Sequence, residues 1–167
     1  GLISTVYQAR RAERRSAEMR RMAQRLLFDL DARLAPIAGN TEARRMLVET
    51  AIEYLDRLRA EARGDPELER DLARGYEKFG DVQGSVAGPN TGRSGAALAS
   101  YYKALEFRER LPPDEETLFR LARLHQQLSS LEESAGHRDR AYTHARQSLG
   151  AAERLLMVGR NPASFLF

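Results

Sequence analysis

Three histidines, His125, His137 and His144, are the only imidazoles in the chain, and imidazole is the side chain best suited to proton transfer or metal ligation near neutral pH. None has a second histidine four residues away, and none falls in a spacing that zinc ligands use. No metal site is expected. The absence of cysteine removes disulfides, thiolate catalysis and Cys-based zinc centres together. Glu49 and Glu53 share one face of a helix, but such pairs are ordinarily solvated charges, and acid–base catalysis needs a drier setting. The glycine-rich stretch from Gly84 to Gly95 includes Gly88-Pro-Asn-Thr-Gly-Arg-Ser-Gly, which lacks the glycine spacing and the lysine of a phosphate loop. It reads as an inter-helix loop that opens onto a helix amino terminus at Ala96, where backbone amides and Arg93 offer a weak anion contact. There is no Gly-x-Ser-x-Gly elbow. No catalytic residue and no cofactor-binding residue is expected.

The remaining chemistry is charge. Arg10, Arg11, Arg14 and Arg15 open an arginine cluster that extends to Arg25. It has three readings: a solvated helix face, a contact for anionic lipid head groups, or a nucleic-acid patch. Nucleic acid is the least favoured, because no aromatic side chain interleaves the arginines before Phe28. The whole chain carries 27 basic against 24 acidic side chains, a net charge of only +3. Lys78 and Lys103 are the only lysines.

These groups must be positioned by helices. At 167 residues the chain has the size of one domain or a short stack of repeats, and no apolar run approaches the length of a membrane span. From Thr5 to about Leu34 there is neither glycine nor proline, so one long helix is predicted, with Met22, Leu26, Leu27, Leu30 and Leu34 as its apolar stripe. Pro36-Ile37-Ala38-Gly39-Asn40 ends it, and Thr41 is a candidate cap for the next. A second helix is predicted from about Glu42 to Ala62, with Met46, Leu47, Ala51, Tyr54, Leu55 and Leu58 inward. A third follows Pro66 and runs towards Gly80; a fourth covers Ala96 to about Leu111. After Pro112-Pro113-Asp114 come a fifth, to about Ser134, and a sixth, from about Arg138 to Val158. No strand is predicted.

Helices arriving in pairs call for a search for repeats. Leu72, Ala73 and Tyr76, followed by Ala97, Tyr101 and Ala104, resemble the tetratricopeptide pattern of large, small, aromatic, then small, aromatic, small. Small residues let paired helices approach, and large ones fill the space between neighbours. A second copy, Leu121, Ala122 and His125 with Ala141, Ala145 and Ser148, departs from it: His125 stands where an aromatic is usual and Ala145 where a bulky ring is usual. Both copies carry inserts between their helices. A generic antiparallel helical bundle is the alternative architecture. The fold class expected is all-α, with about six helices stacked as hairpins in a right-handed superhelix behind a long first helix.

A wider resemblance covers most of the chain. Arg25-Leu-Leu-Phe-Asp-Leu-Asp-Ala-Arg-Leu-Ala-Pro-Ile-Ala-Gly-Asn-Thr, then Arg45-Met-Leu-Val-Glu-Thr-Ala-Ile-Glu-Tyr-Leu-Asp-Arg-Leu, then Tyr76 to Gly84, are similar to the carboxy-terminal region of bacterial receptor-type serine/threonine protein kinases. That resemblance implies that Gly1 to Val6 trails a membrane segment, that residues 1–35 are a juxtamembrane helix packed on repeats 36–158, and that 159–167 form an apolar tail. It also implies that the kinase domain lies elsewhere, since the His-Arg-Asp and Asp-Phe-Gly signatures are absent here. The full-length protein would then be membrane-associated and this stretch soluble. Arginines directly after a membrane helix favour a cytoplasmic side, whereas an external sensor needs the opposite, so the side is left open.

A protein or peptide ligand is the partner expected. In tetratricopeptide arrays the first helix of each repeat lines the groove, which assigns Arg70, Arg74, Glu77 and Lys78 to one wall and Phe119, Arg123, Gln126 and Gln127 to the next. So lined, the groove suits an acidic or carboxylate-terminated peptide, with Phe119 as apolar anchor. The alternative is that these are solvated polar positions. The tail Ala163-Ser-Phe-Leu-Phe and the long first helix each offer a surface for a homodimer. A free-standing cytosolic adaptor and a nucleic-acid-binding helical repeat are the competing functions.

Overall fold

The computed structural model describes residues 1–34, 41–60, 62–85 and 93–159. Among them are six α-helices and no strand: α1 (Leu2–Leu34), α2 (Thr41–Arg59), α3 (Pro66–Ser85), α4 (Arg93–Arg110), α5 (Glu115–Ser134) and α6 (Arg138–Gly159). The fold is all-α. The turn at 36–40, the loop residues 86–92, the tail 160–167 and the side chains of Leu26, Leu27, Leu30, Leu34 and Thr41 lie outside the described residues.

The chain divides into two compact units, residues 1–75 and 76–167, with the boundary inside α3. In the first, α1 touches α2, and the side chains of residues 1–15 are exposed. Met22, placed by periodicity on a packing stripe, is 59% exposed. The inward stripe of α2 is Val48, Ala51, Leu55 and Leu58, all buried, whereas Met46 and Leu47 are exposed and Tyr54 is half-buried. The expected face is therefore rotated. A spacing of three, four and three residues keeps one narrow line on the helix, and Val48 rather than Leu47 belongs to that line. α3 starts where Asp65 Oδ1 accepts from the Leu68 amide (3.2 Å), and Pro66 occupies the first helical position, where a missing N–H costs nothing.

In the second unit α3 does not stop near Gly80 but runs on to Ser85. Gly80 is not a terminator. It is a contact point: a Cβ built there would sit 2.5 Å from the Tyr101 ring. The glycine thus lets an aromatic side chain lie on the α3 backbone, a close approach no larger residue permits. α5 begins with Asp114, whose carboxylate accepts from the Thr117 amide at 2.8 Å. It ends with two crossed backbone bonds, His137 N–H to Glu132 C=O (2.8 Å) and Gly136 N–H to Glu133 C=O (2.9 Å). Gly136 has a φ of 85°, as this kind of helix stop demands. The turn is so short that α6 folds straight back along α5, and α5 also packs on α4.

Candidate functional site

The interface of α3 with α4 is built on rings and one buried ion pair. Tyr76 and Phe107 are stacked, with centroids 6.1 Å apart and planes 10° from parallel, and the Lys103 ammonium sits 5.5 Å over the Tyr76 ring. Tyr101, lying on Gly80, donates to Asp81 Oδ1 at 2.6 Å. Burial, and then that bond to a carboxylate, raises its phenol beyond the ordinary range. Arg108 is completely buried. Its Nε donates to Glu77 Oε1 at 2.8 Å, and Arg120 from α5 approaches the other oxygen at 3.6 Å. One carboxylate thus serves two guanidinium groups. Arg108 Nη1 has no hydrogen-bond partner among the described residues, which makes Glu77 essential: a buried charge stripped of its partner is far costlier than the pair is stabilising.

Beside this pair lies a small cleft lined by Glu77, Asp81, Tyr101, Arg120, Arg123, Leu124 and Gln127. Its free space is about 30 Å³, enough for a water or two and too little for a cofactor. Three of the expected groove residues, Glu77, Arg123 and Gln127, are brought together here. Glu77 is a structural partner of two arginines rather than a free group. Phe119, 49% exposed, lines a different depression of about 580 Å³ with Asp114, Glu115, Glu116 and Leu155. Gln126 is exposed, Lys78 is half-buried, and Arg70 and Arg74 belong to the other unit. Arg74 stands 3.7 Å from Asp71.

Between α4, α5 and α6 runs a chain of polar groups. The Nδ1 atoms of His125 and His144 are 3.0 Å apart. His144 Nε2 is 2.9 Å from the Tyr102 hydroxyl, which is 2.5 Å from Glu132 Oε1. His137 Nδ1 meets Glu132 Oε2 at 2.6 Å, with Arg140 at 4.0 Å from Oε1. Burial alone would raise the Glu132 carboxyl; the bonds from Tyr102 and His137 and the charges of His137 and Arg140 outweigh it and hold the group below its usual range. The carboxylate is ionised at neutral pH.

That fixes every proton in the chain. An ionised carboxylate only accepts, so the Tyr102 hydroxyl donates to Glu132 and its oxygen must accept from His144 Nε2–H. His144 Nδ1 is then bare and accepts from His125 Nδ1–H. All the bonds point towards Glu132. A proton added at His144 Nδ1 would set donor against donor across the histidine pair. Burial pushes His125 down to about 4, with the nearby His144 adding to the effect. His144 is also lowered, burial outweighing Glu132, the Gln147 hydrogen bond and Glu109. Burial first, then the Glu132 bond, raises Tyr102 to about 12. Among the described residues no group of three or more acidic or histidine side chains could hold a metal ion.

Helix spacing alone missed this network, because the histidines are not neighbours on one helix. The signal lies in the turn. Folding the chain at Ala135-Gly136 sets opposite one another residues whose numbers sum to about 270: Ser129 Oγ reaches Ala141 C=O and Ser148 Oγ reaches Ala122 C=O, each at 2.8 Å. The same fold places His125 against His144. Compared with protein-family models, with curated proteins and with solved structures, the chain has no significant match.

Proposed function

We propose that this chain is a non-catalytic, tetratricopeptide-like module that binds a protein or peptide, and that it serves as the sensory or scaffolding arm of a membrane-bound bacterial serine/threonine kinase. The observation that carries the binding reading is the cleft beside Tyr101. Arg120 and Arg123, one turn apart on α5, line it with Gln127. The exposed Arg123 guanidinium and the Gln127 amide at a water-sized recess, with Arg120 held alongside by Glu77, match one carboxylate of an acidic side chain or chain terminus. The host kinase is suggested by the resemblance of residues 25–84 alone. The pattern residues Leu72, Ala73, Tyr76, Ala97, Tyr101 and Ala104 are all buried, which supports reading them as the packing residues of a repeat. No described helix is long and apolar enough to cross a membrane, so an anchor would come from sequence outside these helices.

The test is fluorescence anisotropy with peptides selected from a displayed library, comparing acidic sequences with their amide-capped, neutral counterparts. Acidic peptides are expected to bind, and Arg123→Ala, exposed and outside the Glu77 pair, to weaken them about tenfold with unchanged helicity. Equal binding by Arg123→Ala sinks the cleft as the ligand site.

A further inference from the structure

α6 carries two stripes side by side, the second of them apolar. One, Ala141, His144, Ser148 and Ala151, faces α5 and is buried or half-buried. The other is Tyr142, Ala145, Leu149, Ala152 and Leu156, spaced three and four residues alternately, as in the seam of paired helices. Its large members lie in solvent: Tyr142 is 66% exposed, Leu149 61% and Leu156 62%. The stripe is about 21 Å long at 1.5 Å per residue. Single exposed apolar residues are ordinary, but a continuous seam is not.

We propose that this stripe pairs with the same stripe of a second copy, antiparallel, about a two-fold axis beside Gly150 and Ala151. The argument is complementarity of both size and charge. In that register Tyr142 lies over the partner's Gly159, Ala145 over the partner's Leu156, and Leu149 over the partner's Ala152. Every layer sets a large residue against a small one, which lets the helices approach closely. Flanking the seam, Arg146 falls opposite the partner's Glu153, and the two-fold axis repeats the pair. Both side chains are exposed, Arg146 with its guanidinium 6.0 Å from the Tyr142 ring centroid at the edge of the seam. A parallel arrangement stacks leucine on leucine and alanine on alanine, leaving gaps, and sets Arg146 against the row of Ala141, Ser148 and Leu155, which carries no charge. Self-complementarity is what a two-fold interface requires. The absent ring at Ala145 acquires a reason: a bulky side chain there would hold the second helix away.

Sedimentation equilibrium of the 167-residue chain tests this. A dimer is expected, with Leu149→Glu raising its dissociation constant by roughly a hundredfold while helicity and thermal midpoint stay near wild type. Arg146→Glu alone should weaken the dimer, and Arg146→Glu with Glu153→Arg should restore it, a rescue that a folding defect cannot give. Because the chain has no cysteine, mixing Leu149→Cys with Ala152→Cys should yield a crosslinked pair on mild oxidation, whereas Ala145→Cys alone should not crosslink to itself. A strict monomer at high concentration overturns the proposal. So does a dimer that survives Leu149→Glu, or a charge reversal that is not rescued. If the chain is monomeric and becomes dimeric when residues 160–167 are deleted, the tail covers the stripe and the proposal fails.

Discussion

Between α3 and α4 the space is filled by rings: Tyr76 on Phe107, and Tyr101 on the bare backbone of Gly80. Between α5 and α6 the equivalent positions hold His125, where the first pair has Tyr76, and Ala145, where it has Tyr101. Ala145 is exposed, and the inward place is taken by His144, one residue earlier. A tyrosine packs as a disc with one polar tip; an imidazole has two polar atoms on its ring, and when buried both need partners. The second pair therefore recruits Tyr102 and Glu132 into a directed chain of hydrogen bonds. The same packing task is met by stacked rings beside one ion pair in one place and by a relay of imidazoles in the other.

The largest expected effect breaks the first pair at its one buried charge. Glu77→Ala leaves Arg108 buried without a partner and should cost about 3–5 kcal/mol in urea denaturation; a loss comparable to that of an exposed ion pair contradicts the account. Next is Gly80→Ala, which drives a methyl group into the Tyr101 ring and should cost about 1–3 kcal/mol. Pairing it with Tyr101→Leu should recover part of that loss, because the smaller side chain yields.

How far these features could be read beforehand depends on what they rest on. The six helices follow from glycine, proline and capping residues, and five of the six have both ends within a few residues of expectation. α3 is the exception: Gly80 reads as a stop, yet its meaning is the ring of Tyr101, contributed by a residue some twenty positions on across a loop whose length hides the register. The Glu77–Arg108 pair was hidden for the same reason. Glu77, Arg123 and Gln127 were legible as one surface from their helix positions, while Asp81, Tyr101 and Arg120, which complete the cleft, were not. The histidine pair, by contrast, is encoded by a tight turn and simple counting. Val48 shows a smaller limit: periodicity finds a stripe but leaves its phase open by one residue when Met46, Leu47 and Val48 are all apolar.

Acid should separate the two pairs. His125 takes up a proton at its ordinary 6.5 in the unfolded chain but only near 4 in the fold. Folding must expel that proton between these values, so stability is full above about 6.5 and falls as pH drops towards 4. Lowering of Glu132 acts in the same direction at still lower pH. Thermal midpoints across this range should show the decline, and His125→Phe, which restores an aromatic of the first kind, should flatten its upper part while lowering neutral-pH stability by about 1 kcal/mol. An unchanged acid limb would mean that the histidine pair does not control it. The smallest effect is local: Asp114→Ala removes the α5 cap and should cost about 1 kcal/mol, read by denaturation, with the relay undisturbed.

The claim that the second pair is held by a directed chain of neutral imidazoles is tested most directly by long-range proton–nitrogen NMR of the three histidine rings as a function of pH. The account predicts His125 as the Nδ1–H tautomer titrating near 4 and His144 as the Nε2–H tautomer. Two rings titrating freely near 6.5, with His125 protonated on Nε2 instead, would contradict it.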